Sequence, residues 1–143
     1  MMQNDFGLIS IIMAAYNAEK TIEQAINSVL SQTYTNFELL VVNDCSTDRT
    51  AELVKSIAAK DSRVRLISNV KNSGVSYTRK HGLEEAKGSW ISILDSDDAW
   101  APENWKSRLT FREEPMLTSF LQVLLLWIRR GIQLTGIFVL HQK

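Results

Sequence analysis

The amino-acid sequence predicts an α/β fold with a mostly parallel β-sheet and helices on both faces. Apolar runs of five or six residues alternate with longer segments in which apolar residues recur at helical spacing. This alternation of strands and helices requires crossover connections, which make successive strands parallel. The length of 143 residues suits a single domain with a buried core.

The first predicted strand is a continuous apolar run at residues 8–13 (LISIIM), which is typical of a strand buried on both faces. After it, apolar residues recur at the spacing of one helical face, which predicts a helix. These residues are Ile22, Ala25, Ile26, Val29 and Leu30. Asn17 precedes them and is a candidate N-cap for this helix.

Three more strands and two more helices follow in the same alternation. Residues 37–42 (FELLVV) form the second apolar run, and the turn and cap formers NDCSTDRT separate it from a helix at residues 51–60. A short strand at residues 64–68 (VRLIS) comes next. The segment NSGVSYTRKHGLEEAKG predicts a loop and a third helix that ends at Gly88. Residues 90–94 (WISIL) predict the fourth strand.

The composition argues against several classes of function. Lysine and arginine together number 16, as do aspartate and glutamate, so no overall positive charge attracts nucleic acid. The single cysteine, Cys45, cannot form an internal disulfide, which favours a reducing, cytoplasmic location. The apolar segment at residues 117–128 is shorter than the roughly 20 residues that a membrane-spanning helix needs.

Three carboxylates follow the fourth predicted strand within four positions: Asp95, Asp97 and Asp98. Such a cluster is either a solvated loop or a site for a cation, because carboxylates this close repel one another. Ligands of open parallel sheets bind beyond the carboxyl ends of the strands, where Asp44 also lies after the second strand. This placement favours a functional acidic site over a solvated loop.

The chemistry of the cluster indicates its ligand. Carboxylate oxygens without histidine or cysteine suit a hard divalent cation such as Mg²⁺, Mn²⁺ or Ca²⁺. The spacing does not match an EF-hand, and the sequence contains neither a P-loop nor a Gly-x-Gly-x-x-Gly run. A cation held by few carboxylates completes its coordination with water and substrate phosphates. The cluster therefore predicts a metal-bound diphosphate ligand.

Four motifs in order resemble the nucleotide-binding half of family 2 inverting glycosyltransferases, which have the Rossmann-like GT-A fold. The motifs lie in ISIIMAAYNAEKTIEQAINSVLSQTY, FELLVVNDCSTDRT, NSGVSYTRKHGLEEAKG and WISILDSDD, and the resemblance covers residues 8–111. DSDD is similar to the family's Asp-x-Asp signature. The resemblance implies a nucleotide-sugar donor, most often a UDP-sugar, and Mn²⁺ or Mg²⁺ as cofactor.

The resemblance also implies roles for individual residues. Ala14, Ala15 and Tyr16 would lie along the base and ribose of the nucleotide. Asp44 would accept a hydrogen bond from the base, as a carboxylate facing a ring N–H can. Arg79, which opens the third helix, could meet oxygens of the donor.

The acid cluster would serve the ribose and the phosphates. By the same resemblance, Asp98 would bind the metal that bridges the two phosphates. Asp97 would lie near the ribose and contribute to the metal site, whereas Asp95 could orient a neighbour or bond the ribose and sugar.

Some of these side chains have a purely structural alternative. Tyr16 could be only a partly buried aromatic residue at a strand end. Arg79 could instead form a salt bridge to Glu84 or Glu85. His81 is assigned no catalytic partner and is predicted to be a surface residue.

Inverting transfer needs a general base that deprotonates the acceptor hydroxyl, and in the family this base is an acid well downstream of the signature. No aspartate follows Asp98, and three glutamates do: Glu103, Glu113 and Glu114. We therefore assign no catalytic residue and expect the acceptor half of the fold to be missing. The chain divides into a nucleotide-sugar-binding half, residues 1–111, and an atypical tail, residues 112–143.

The tail has three interpretations: a shifted reading frame or premature stop, a short natural variant whose helix covers the exposed sheet, or a segment in contact with a membrane surface. The main functional prediction is a glycosyltransferase that acts on a glycan or lipid-linked acceptor, with this chain binding the donor only. The alternatives are a non-catalytic nucleotide-sugar-binding module and an inactive fragment.

Overall fold

The computed structural model describes residues 7–102. Within them, strands and helices alternate as predicted, which confirms the α/β fold class. The strands are β1 (Ile9–Ala15), β2 (Phe37–Asn43), β3 (Val64–Ser68) and β4 (Trp90–Ile93). The helices are α1 (Ile22–Leu30), α2 (Thr50–Ala58) and α3 (Val75–Glu85).

The described strands form one parallel sheet in the order β3-β2-β1-β4. β1 pairs with β2 along its whole length, from Ile9 opposite Phe37 to Ala15 opposite Asn43. On its other side β1 pairs with β4, which the chain reaches only after it has built β2 and β3. The strand order therefore reverses between β1 and β4, and such a switch point leaves a crevice at the carboxyl ends of the strands.

Helices α1 and α2 pack on one face of the sheet. The main core cluster contains Ile11 and Met13, which alternate along β1 and therefore point to the same face. Ile22 and Ile26 of α1 and Val54 of α2 belong to the same cluster, and all five residues are fully buried. Burying each of these side chains contributes about 1.5–3 kcal/mol.

Helix α3 covers the opposite face, where Gly82 lies against Ile12 of β1 and Val42 of β2. A Cβ atom on Gly82 would lie 2.6 Å from Cγ2 of Ile12 and 3.0 Å from Cγ2 of Val42. These distances are shorter than van der Waals contact, so the glycine allows α3 to lie directly on the sheet. Helices therefore cover both faces, as the sequence predicts.

The start of α1 differs from the prediction. The helix begins at Ile22, its N-cap position is Thr21, and the prediction that Asn17 is the N-cap is wrong. Asn17 has a positive φ of 48°, and its side-chain oxygen accepts a hydrogen bond from the backbone N–H of Thr47 at 2.8 Å. Because this oxygen bonds a neighbouring loop, it is not available to the first turn of α1.

The ends of other strands and helices differ from their predicted positions by a few residues. β1 continues to Ala15, two residues beyond the predicted end, and α3 ends at Glu85 rather than at Gly88. In the part of the chain that the structure describes, no helix is both long and apolar enough to cross a membrane. The predicted tail, residues 112–143, and the three late glutamates lie outside the described residues.

Candidate functional site

A cleft of about 580 Å³ opens at the carboxyl ends of β1 and β4, where the strand order predicts a crevice. Its walls come from the end of β1 and the loop after it, from the loop after β2, from the start of α3 and from the loop after β4. The lining residues are Ala14, Tyr16, Asn17, Ala18, Glu19, Lys20, Thr21, Asp48, Val75, Arg79, Asp95, Ser96 and Asp97.

Most of the residues predicted from the sequence line this cleft, and they are Ala14, Tyr16, Arg79, Asp95 and Asp97. Three do not. Ala15 is 2% exposed and packs into the core, Asp44 is 4% exposed and is held by the loop before α3, and Asp98 is half-buried beside Asp97.

The cleft also contains residues that the sequence patterns did not single out: Asp48, Val75, Ser96 and the loop at residues 17–21. The rule that ligands bind beyond strand ends could have identified the loop and Asp48, because they follow β1 and β2 directly. Val75 carries no comparable signal, since a valine at a helix start has no recognisable chemistry of its own.

Tyr16 stands on the wall of the cleft immediately after β1. Its side chain is 52% exposed, whereas the residues of β1 that face the core are fully buried. A half-exposed aromatic ring beside a polar cleft offers a flat apolar surface to a ligand.

Arg79 and Asp95 form an ion pair across the cleft, with Nη2 of Arg79 2.5 Å from Oδ1 of Asp95. Both side chains are about one-third exposed. The alternative that Arg79 pairs with Glu84 or Glu85 is wrong, because Lys80 pairs with Glu84 and Arg65 pairs with Glu85. The charge of Asp95 is therefore balanced within the protein.

Asp97 and Asp98 differ from Asp95, since neither forms an ion pair with a residue in the described part of the chain. The backbone N–H of Asp98 donates to the carbonyl of Asp95 at 3.1 Å, which folds the three carboxylates into one turn. Burial, together with the negative charges of Asp97 and Asp95, raises the pKa of Asp98. A cation bound here would relieve this repulsion.

The donor set fits a hard divalent cation with an incomplete protein shell. Asp97 and Asp98 supply carboxylate oxygens, which are the ligands that Mg²⁺ and Mn²⁺ prefer. Among residues 7–102, no three acidic, histidine or cysteine side chains converge closely enough to hold a metal by themselves. The remaining coordination would come from water and from oxygens of a ligand.

Asp44 is 4% exposed and holds the loop between β3 and α3. Oδ1 accepts hydrogen bonds from Nδ2 of Asn69 and the backbone N–H of Ser73, both at 2.8 Å. Oδ2 accepts one from the backbone N–H of Gly74 at 2.9 Å. Burial by itself would raise the pKa of Asp44, but these hydrogen bonds together lower it below its usual value.

The loop held by Asp44 also involves His81. Nδ2 of Asn69 donates both to Asp44 and to Oγ1 of Thr78, so Oδ1 of Asn69 accepts from Nδ1 of His81 at 2.7 Å. His81 is therefore half-buried with a polar partner, and its prediction as a plain surface residue is wrong. This series of hydrogen bonds, from Asp44 through Asn69 to His81, connects the end of β2 to α3.

The sequence profile of a family described as Glycosyl transferase family 2 matches residues 10–124. The chain is 39% identical over 132 residues to the UDP-Glc:alpha-D-GlcNAc-diphosphoundecaprenol beta-1,3-glucosyltransferase WfaP of Escherichia coli. That similarity covers 92% of this chain and 51% of WfaP. The chain spans about half, or less, of the length of the curated relatives it matches.

Solved structures share the architecture. S. aureus TarS 1-349 in complex with UDP-GlcNAc matches with a TM-score of 0.67 and 34% identity, over 72% of this chain and 30% of that chain. The mannosyltransferase PcManGT of Pyrobaculum calidifontis, in complex with GDP-Man and Mn²⁺, matches with a TM-score of 0.70 over 78% of this chain and 34% of its own. At 22% identity the second likeness shows the fold alone. The predicted GT-A fold is confirmed.

The substitution Asp44→Asn tests the role of this carboxylate in the fold. An amide offers one acceptor oxygen, so Ser73 or Gly74 loses its acceptor, and we expect the free energy of unfolding at neutral pH to fall by about 1–3 kcal/mol. The measurement is a urea titration, with Glu84→Gln on the exposed side of α3 as control. The control should change stability by less than about 0.5 kcal/mol.

The difference in stability between wild type and Asp44→Asn should depend on pH, and the lowered pKa of Asp44 determines the direction of that dependence. Because the pKa of Asp44 is lowered on folding, its carboxylate stabilises the fold above its unfolded pKa, near 3.8, and this stabilisation is lost as the pH falls through the lower folded pKa. The gap between wild type and Asp44→Asn should therefore narrow below pH 3.8. A gap that stays constant, or widens, in acid would contradict this role of the carboxylate.

Proposed function

The chain belongs to glycosyl transferase family 2, as its motifs predict, and we propose that its cleft binds the nucleotide-diphosphate sugar that the whole enzyme uses as donor. The whole enzyme would transfer the sugar to an acceptor with inversion. One observation carries the proposal: Asp97 lines the same cleft as Tyr16, and neither Asp97 nor the neighbouring Asp98 has a counter-ion among residues 7–102.

The nucleoside would occupy the β1 side of the cleft. Tyr16 offers its half-exposed ring to the base, and Ala14 leaves room for the ribose because its side chain is small. The backbone of Ala15 continues this wall, while its side chain packs in the core. For Asp44 we keep the proposal that it accepts a ring N–H of the base. It uses three of the about four hydrogen bonds that a carboxylate can accept. Because it is 4% exposed and does not line the cleft, the base would have to displace part of the present lining to reach it.

The diphosphate would lie between the start of α3 and the loop after β4. Arg79 is fixed by Asp95, so its guanidinium presents a positively charged edge without a large loss of side-chain entropy on binding. Asp97 would lie near the ribose and, with Asp98, would hold Mn²⁺ or Mg²⁺. A bound divalent cation would neutralise negative charge on the leaving diphosphate. Without it, the two carboxylates repel that diphosphate.

The ligands of two similar proteins support a UDP-sugar donor and a lipid-linked acceptor. TarS was solved with UDP-GlcNAc, and the name of WfaP specifies UDP-Glc and a diphosphoundecaprenol-linked acceptor. For this chain we propose a UDP-sugar as donor and a glycan or lipid-linked acceptor for the whole enzyme. A lipid-linked acceptor would require contact with a membrane surface from the cytoplasmic side.

We expect UDP to bind more tightly with Mn²⁺ or Mg²⁺ than with EDTA, by about tenfold. The reason is that the acid pair repels a bare diphosphate and attracts it through a cation. By thermodynamic linkage, UDP should tighten Mn²⁺ binding by the same factor. Calorimetric titrations in both orders measure the two values.

Asp98→Asn should remove most of this metal dependence while UDP binding in EDTA changes little. Glu84→Gln, an equally charge-changing substitution on the exposed face of α3, should leave both affinities unaltered. Equal affinity of the wild-type chain for UDP in EDTA and in Mn²⁺ would show that Asp97 and Asp98 are not the metal site.

We also propose that transfer needs residues outside the donor-binding half. General-base assistance contributes about 10² to 10⁴-fold, and we assign no general base to residues 7–102. The 143-residue chain should therefore bind donor without transferring sugar. A radiolabelled UDP-sugar assay with glycan and lipid acceptors measures this. Robust transfer that disappears in Glu113→Gln or Glu114→Gln would contradict the proposal and make the chain a complete enzyme.

A further inference from the structure

The loop after β1 and the loop after β2 are joined by hydrogen bonds that run in both directions. We call these contacts, between residues 17–19 and residues 46–50, the clasp. In one direction, the backbone N–H groups of Asn17 and Glu19 donate to Oγ of Ser46 at 3.0 Å and to Oδ2 of Asp48 at 3.1 Å. Both loops line the cleft.

In the other direction, the second loop donates to side chains of the first. The backbone N–H of Thr47 donates to Oδ1 of Asn17 at 2.8 Å, and that of Arg49 donates to Oε2 of Glu19 at 3.1 Å. Each loop therefore satisfies backbone groups of the other. Ala18 and Thr50 are buried and anchor one point of each loop in the core. Asn17, Glu19, Thr47 and Arg49 are exposed, so at these positions the clasp, rather than packing, holds the two loops together.

Tyr16 lies between two points at which the backbone is held. Before it, the carbonyl of Ala15 accepts the N–H of Asp44 at 2.9 Å. After it, Asn17 adopts a positive φ of 48° and is fixed by its bonds to Ser46 and Thr47. The ring of Tyr16 is half-exposed, so its direction depends on this backbone rather than on core packing.

Asp48 is the centre of the clasp. Its Oδ1 accepts from the backbone N–H and Oγ1 of Thr50, at 2.9 and 2.5 Å, while Oδ2 accepts from Glu19. The same Oγ1 of Thr50 accepts the N–H of Ala18 at 2.8 Å. One carboxylate thus fixes the loop that carries Tyr16 to the first turn of α2, which is anchored in the core through Thr50 and Val54.

We propose that Asp48 is a positioning residue for donor binding: through the clasp it holds Tyr16 at the angle that stacks on the nucleoside. The inference rests on the proposed function. It assigns a role in nucleoside binding to Asp48, which lies far from Asp97 and Asp98 in the sequence. It makes Asp48 part of the nucleoside end of the site and independent of the metal end.

Asp48→Asn replaces one acceptor oxygen of the clasp by an NH₂ group, and the side chain keeps almost the same shape. Whichever way the amide turns, its NH₂ group faces a backbone N–H, so either Glu19 or Thr50 loses its acceptor. Asn17→Gly tests the other side of the clasp, because glycine keeps the positive φ and removes only the side-chain acceptor. Asp61→Asn is the matched control, since Asp61 also accepts backbone and side-chain bonds, from Arg63, but at the start of β3.

The test is a double-mutant cycle with Tyr16→Ala, in which the affinity for UDP and for uridine is measured by NMR titration in EDTA and in Mn²⁺. NMR titration reaches millimolar Kd values, so the weak variants remain measurable. Asp48→Asn and Asn17→Gly should each weaken both ligands by about five- to tenfold, with or without metal. In the Tyr16→Ala background the same substitutions should have almost no effect, whereas Asp61→Asn should have none in either background.

An Asp48→Asn loss of equal size with and without Tyr16 would overturn the inference, because the carboxylate would then act on the fold in general. An unaltered affinity in both Asp48→Asn and Asn17→Gly would also overturn it. If the wild-type chain bound neither UDP nor uridine, the proposed function would fail, and this inference would fail with it. Binding of UDP or uridine by the wild-type chain therefore distinguishes a failure of this inference alone from a failure of the proposed function.

Discussion

The pairing of β1 with β2 on one side and β4 on the other determines where the site of this protein lies. β1 pairs with β2 on one side and with β4 on the other, and all these strands are parallel. The loops after β1 and β4 therefore both leave the carboxyl ends of the strands and diverge around a cleft. Gly82 of α3 and the alternation of apolar residues along β1 hold this arrangement from both faces. Tyr16 and the acid cluster occupy the two sides of the opening because of that topology.

The aspartates at the carboxyl edge divide into two groups by their partners. Asp44, Asp48 and Asp95 are satisfied within the protein, by loop amides, by the clasp and by Arg79 respectively. Asp97 and Asp98 have no such counter-ion in the described part of the chain. The first group gives the cleft a fixed shape, and the second leaves it with negative charge that a cation can balance. The same residue type thus stabilises the loops at some positions and leaves negative charge exposed to the cleft at another.

Local patterns sufficed to predict much of this arrangement. The strands, the edge at which Asp95, Asp97 and Asp98 meet, and the family follow from apolar periodicity and from motifs of a few residues. The errors concern partners distant in sequence: Asn17 bonds Thr47, Arg79 pairs with Asp95, and His81 reaches Asn69. When a side chain has several acceptable partners nearby in sequence, the tertiary fold determines which partner it binds. The spacing of residues along the chain does not contain that information.

Paramagnetic NMR with Mn²⁺ and UDP tests the central claim, that the switch-point cleft binds a metal-bound nucleotide diphosphate, most directly. With UDP present, Mn²⁺ should broaden the backbone amide signals of residues 96–99 most strongly, and those of Tyr16 and Val75 next, because all line or adjoin the cleft. Without UDP the broadening should be weaker, since two carboxylates alone hold the ion loosely. Broadening centred at the opposite edge of the sheet, around Asp61 and Arg63, or unaffected by UDP, would contradict the claim.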